Sequence, residues 1–85
     1  MDIAYDTLKD AANIAKHGLS LADFRGFDTD PSIDVDDRYD YGEVRLLARG
    51  RIGGRGYCVV FTVANSVMRI ISFRRAHEKE MRLYE

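Results

Sequence analysis

Eighty-five residues, 46% hydrophobic and 32% charged with one proline and no low-complexity tract, make one ordered domain with a modest core and leave no room for a second. The only cysteine, Cys58, lies inside an apolar run, which excludes a disulfide framework and predicts a buried, unreactive thiol in a reducing compartment. The net charge of −1 conceals a segregation of signs: residues 28 to 40 hold six aspartates and one arginine, net −5, whereas residues 43 to 85 hold nine basic and four acidic groups, net +5. A basic face suits an anionic ligand, and the aspartate-rich segment reads first as a solvated loop.

Ile3 to Tyr5 is a short apolar opening, expected to be an edge strand, and Asp6 or Thr7 then caps a helix that runs to about Lys16 and stops at Gly18. At 100° per residue, Leu8, Ala11, Ala12, Ile14 and Ala15 share one sector, predicted to be buried. Lys9, Asp10, Asn13, Lys16 and His17 share the other, predicted to face water. Because a helix C-terminus favours a cation, His17 is expected to protonate more easily than a free imidazole. Ser20 to Phe24 repeats a short helical pattern, and Ser32 to Asp36 alternates weakly, as an exposed strand would.

Alternation is clear from Glu43 to Ile52, with Val44, Leu46, Ala48 and Ile52 on one side and Arg45, Leu47, Arg49 and Arg51 on the other, so this strand presents a basic face. Gly53-Gly54 marks a hairpin, Tyr57 to Val63 is apolar on both faces like a central strand, and Asn65-Ser66 is a second turn. Val67 to Arg74 closes a meander, and Ala76 to Tyr84 is predicted helical. The pattern predicts an α+β domain spanning residues 1 to 85, with N-terminal helices, a C-terminal helix and an antiparallel sheet of three strands. A fourth is expected from either Ile3 to Tyr5 or Ser32 to Asp36.

Chemistry concentrates where the last strand meets the last helix. Arginine forks recognise phosphate oxygens bidentately, and metal-free cleavage of RNA needs a base, an acid and cations around the phosphorane. Arg69, Arg74 and Arg75 can hold phosphate; Glu78, Glu80 or a histidine can act as base; His17, His77, Lys79 or Tyr84 can supply a proton or a stabilising hydrogen bond. The same arginines equally suit a solvated rim paired to Glu78 or Glu80. Two histidines and one cysteine without ligand spacing predict no metal site, and no cofactor motif is present. No apolar stretch approaches a membrane span, and Met1 to Asp6 lacks the features of a signal peptide, so the cytoplasm is expected.

Two segments together carry a family resemblance: Asn13-Ile14-Ala15-Lys16-His17-Gly18, and Arg69-Ile70-Ile71-Ser72 followed by Arg74-Arg75-Ala76, Glu80 and Tyr84-Glu85. The chain resembles the BrnT toxins, with Asp6, Lys9, Arg45 and Gly50 also in accord. Tyr5 departs from the tryptophan usual there, His77 from a small hydroxyl residue, and the aspartate-rich segment is unusually acidic. The resemblance implies a RelE-like fold and a ribonuclease toxin of a bacterial type II toxin–antitoxin system. Its implied partners are an RNA substrate and a BrnA-like antitoxin with its own DNA-binding domain, through which alone the toxin would meet DNA; no membrane is involved. The resemblance points to Lys16, His17, Arg69, Arg74, Glu80 and Tyr84 as the functional cluster; together with the reading of the residues themselves, His17, Arg69, Arg74, Glu80 and Tyr84 are the expected catalytic residues, Lys16, Arg45, Arg75 and Lys79 the expected phosphate contacts, and His77 a further acid or base. A non-catalytic RNA-binding or antitoxin-regulated module is the alternative.

Overall fold

The computed structural model describes residues 2–85. Five strands, β1 (Asp2–Tyr5), β2 (Ser32–Val35), β3 (Leu46–Ile52), β4 (Arg55–Ala64) and β5 (Val67–Arg75), form one sheet in the order β1-β5-β4-β3-β2. Helix α1 (Thr7–His17) follows β1, a 3₁₀ turn spans Leu21–Asp23, and helix α2 (Glu78–Tyr84) closes the chain. The α+β class holds, but the three-to-four-strand antiparallel sheet is corrected to a five-stranded mixed one. Both proposed extra strands join, β2 antiparallel to β3 and β1 parallel to β5. The second N-terminal helix shrinks to the 3₁₀ turn, because Gly26 with φ 115° and the aspartate-rich stretch leave no further helical register.

The meander follows from its turns. Gly53 and Gly54, then Asn65 and Ser66, all take positive φ, the two-residue geometry that matches strand twist, so β3–β4 and β4–β5 pair tightly. Strand β4 is central and apolar on both faces. Val59 and Phe61 join Leu21, Phe24, Ala48, Ile70 and Phe73 in one core. Cys58 and Val60 join Leu47, Ala76 and Met81 in the other. Gly56 lets α2 approach: a Cβ there would run into the Met81 side chain and the carbonyl of Ala76.

Helix α1 reverses its predicted orientation. Leu8 and Ile14 are exposed, whereas Asn13 is buried and Asp10 and His17 are half-buried. The cause is what the helix packs on. Strand β1 pairs only Val67 to Ile70, and beyond it the edge of β5 leaves backbone groups that an apolar side chain cannot satisfy. The Asn13 amide donates to the carbonyl oxygens of Phe73 and Leu19 and accepts from the Phe73 N–H, standing in for a neighbouring strand. Asp10 accepts from Ser20 Oγ and the Leu21 N–H, seating the 3₁₀ turn. Asp6 caps the first turn and Gly18, with φ 73°, the last. Among the described residues, no helix is long and apolar enough to cross a membrane.

Candidate functional site

On the sheet face that carries α2, the uncovered half forms a cleft of about 350 Å³. Its floor is Leu47, Val60, Ile71, Ser72 and Arg74. One wall is the inward face of α1, with Lys9, Asn13, Lys16 and His17; the other is the β2–β3 connection, with Asp36, Arg38, Tyr41 and Arg45. A bulge positions the floor: Phe61 pairs Ile70 and Val60 pairs Ser72, so Ile71 is the extra residue and both Ile71 and Ser72 reach the cleft.

Six cationic or potentially cationic groups line the cleft against one carboxylate, Asp36, and that carboxylate is engaged. Arg38 grips it through two hydrogen bonds of 2.7 and 2.8 Å, which hold Asp36 below the usual carboxylate range despite its burial. Lys9, Lys16, His17, Arg45 and Arg74 therefore make a net positive space. Arg45 is four-fifths buried, lies 3.9 Å from the Tyr41 ring centroid and leaves its Nε without a hydrogen-bond partner. A terminal nitrogen of the same guanidinium lies 3.5 Å from Glu43, so its charge is partly matched within the protein.

His17 overturns the helix-terminus expectation. Its pKa is lowered, first by burial and then by the positive charges of Lys16 and Arg74, so the imidazole is harder to protonate than a free one. The favourable helix end is outweighed by burial first and by the neighbouring cations second.

Arg74 links this cleft to a second cluster under α2. Its guanidinium meets both Glu80 oxygens, at 3.0 and 3.1 Å, while Arg49 Nε donates to Glu80 Oε2 at 2.8 Å. These bonds, Arg74 first, pull the Glu80 carboxyl down to about 2. Arg49 also stacks on Tyr84, 3.7 Å from the ring centroid, and pairs with Asp34 at 3.6 Å. Glu80 thus holds two arginines in place.

Of the sequence-predicted residues, the structure gathers Lys16, His17, Arg45 and Arg74 in the cleft and ties Glu80 directly, and Tyr84 through Arg49, to its Arg74 end. Arg69 is exposed outside the cleft lining, paired in the sheet with Ala4 and Thr62. Arg75 neighbours Tyr57 on the opposite sheet face, its guanidinium 5.1 Å from that ring. His77 stands at the N-cap position of α2 without a side-chain capping bond and Lys79 follows on the helix, both exposed and outside the cleft.

Sequence reading missed Arg49, Arg38, Asp36 and Tyr41. Arg49 reads as one of several solubilising charges on an alternating strand, and only the docking of α2, 31 residues away, reveals its partner Glu80. The Asp36-x-Arg38 spacing was a usable signal, since a lone arginine among six aspartates invites a local pair.

No curated protein matches the chain. A family model described as "Ribonuclease toxin, BrnT, of type II toxin-antitoxin system" matches residues 5–80, a span that holds every residue of the cleft. The chain belongs to the BrnT family of ribonuclease toxins of type II toxin–antitoxin systems.

Proposed function

We propose that this protein cuts single-stranded RNA without a metal ion, by attack of a 2′-hydroxyl on the adjacent phosphorus, in the cleft between α1 and the β2–β3 connection. The observation that carries the reading is a half-buried imidazole with a lowered pKa, facing a space that Lys16, Arg45 and Arg74 make positive. A neutral imidazole at pH 7 is a competent general base, and fixed cations supply the charge stabilisation that a metal would otherwise give.

In this mechanism His17 takes the 2′-hydroxyl proton and the 2′ oxygen bonds to phosphorus. Arg74 and Arg45 stabilise the phosphorane, and the P–O5′ bond breaks. The departing 5′ oxygen takes a proton from Lys16, and the imidazolium returns one to Lys16 through solvent. The products are a 2′,3′-cyclic phosphate and a 5′-hydroxyl. Glu80 is a positioning residue: with its carboxyl at about 2 and both oxygens bonded to arginines, it is a weak base that fixes Arg74. Tyr84 buttresses Arg49 in the same way. Arg69 extends the positive surface along β5, where the strand passes on to the next phosphate.

The partner is an antitoxin of the BrnA type, which covers this positive surface and tethers the toxin to operator DNA through its own DNA-binding domain. The setting is the cytoplasm. The test is cleavage of a single-stranded oligoribonucleotide in EDTA, beside the same strand carrying a 2′-deoxy residue at the cut position. Cyclic phosphate from the first and none from the second is expected; a strand that is bound but left whole, with EDTA or with magnesium, overturns the enzyme in favour of an RNA-binding module.

A further inference from the structure

The cleft accounts for phosphate, but a single-stranded substrate also presents unstacked bases, and most aromatic faces near the site are taken. Arg45 covers Tyr41, Arg49 covers Tyr84, and Arg75 lies over Tyr57. Tyr39 differs. It is 72% exposed and stands edge-on to Tyr41, with ring centroids 5.8 Å apart.

Its segment is braced rather than loose. The Asp36 N–H donates to the Arg45 carbonyl at 2.7 Å, Arg38 is locked on Asp36, and the Gly42 N–H donates to Asp40 at 3.0 Å. Tyr39 is therefore a large apolar face held out at the rim of a cationic cleft. One residue, Tyr41, stands between that face and Arg45, whose guanidinium stacks upon it. Aromatic faces beside a positive groove are how proteins hold single strands without reading sequence.

We propose that Tyr39 is the stacking platform for one unpaired nucleobase of the RNA, next to the phosphate that Arg45 receives. The inference rests on the cleft being the RNA site and adds its base subsite. Stacking of this kind makes binding tolerant of sequence, because every base has a π face, and it draws the flanking sugar–phosphate toward His17.

The chain contains no tryptophan, so Tyr39→Trp introduces a single indole reporter at this point. The probes are a non-cleavable 2′-O-methyl oligonucleotide and inorganic polyphosphate of equal charge, each titrated at low salt. Both bind, and only the oligonucleotide quenches the indole. Tyr39→Ala weakens the oligonucleotide about 5- to 150-fold, the range that loss of one base–aromatic stack gives, and leaves polyphosphate affinity unchanged. Binding of both probes with no quenching and an unchanged Tyr39→Ala affinity overturns the platform and leaves the cleft reading standing. If neither probe binds, the cleft reading itself fails and the platform falls with it.

Discussion

His17 and Glu80 were interchangeable as bases in the sequence, and their surroundings separate them. Glu80 spends its charge on Arg74 and Arg49, which hold it at about 2, whereas burial and neighbouring cations hold His17 below the ordinary imidazole value of 6.5. In the proposed mechanism the base must be neutral to work, so cleavage rises with pH through a midpoint below 6.5; a midpoint above 6.5 in the pH–rate profile contradicts the assignment. Glu80 acts on stability instead. Its folded pKa lies below its unfolded value of about 4.5, so its contribution is whole above that pH and is lost as pH falls toward 2. The contribution is roughly 2 kcal/mol after allowance for solvent screening. Urea unfolding between pH 4.5 and 2 should weaken faster in wild type than in Glu80→Gln, and parallel curves would refute the pairing. The Arg74–Glu80 pair was legible because the two residues are six apart; Arg49 was not, since strand alternation gives its face but not what lands on it.

At the scale of elements, the strands and turns of the meander were readable because alternation and turn residues are local signals. Helix α1 was not. An amphipathic wheel assumes that the partner surface is apolar, and here the partner is an open strand edge that demands hydrogen bonds. Asn13 answers that demand with two, to the Phe73 carbonyl and N–H, and spends a third on the Leu19 carbonyl. Asn13→Ala strands the Phe73 N–H and C=O in a buried place, at a cost of about 2–4 kcal/mol. It should lower the thermal midpoint and, by loosening α1, reduce cleavage as well; a variant as stable as wild type would show that the amide is dispensable. Gly56 plays the matching part for α2. Gly56→Ala crowds Met81 and the Ala76 carbonyl, and overpacking of this kind costs about 1–3 kcal/mol, read as a lower urea midpoint with an unchanged slope.

Across the whole molecule, the segregated charge of the sequence resolves into pairs and a remainder. The arginines of β3 that looked like an exposed basic face are largely matched by α2, Arg51 with Glu78 and Glu85 and Arg49 with Glu80. The aspartate-rich segment supplies Asp36 to Arg38 and Asp34 to Arg49. An excess of positive charge then gathers where α1, the β5 bulge and the β2–β3 connection meet, although Arg74 there is paired with Glu80. That convergence was only half visible in the chain: Lys16-His17 and Arg74 stood out as motifs, but their shared cleft depends on α1 lying along the β5 edge. Exposed apolar residues on the outer side of α1, Leu8 and Ile14, leave that face unpaired in the isolated chain.

In the proposed function this cleft, and no other basic surface of the protein, cuts RNA. Its most direct test compares single-turnover cleavage of one oligoribonucleotide, in EDTA at pH 7, by wild type, His17→Ala, Arg74→Ala and Arg55→Ala, the last an exposed arginine at the β3–β4 turn. His17→Ala is expected to lose about 10²- to 10⁴-fold, Arg74→Ala a comparable amount, and Arg55→Ala nothing. Equal rates for wild type and His17→Ala in folded protein would contradict the proposed function.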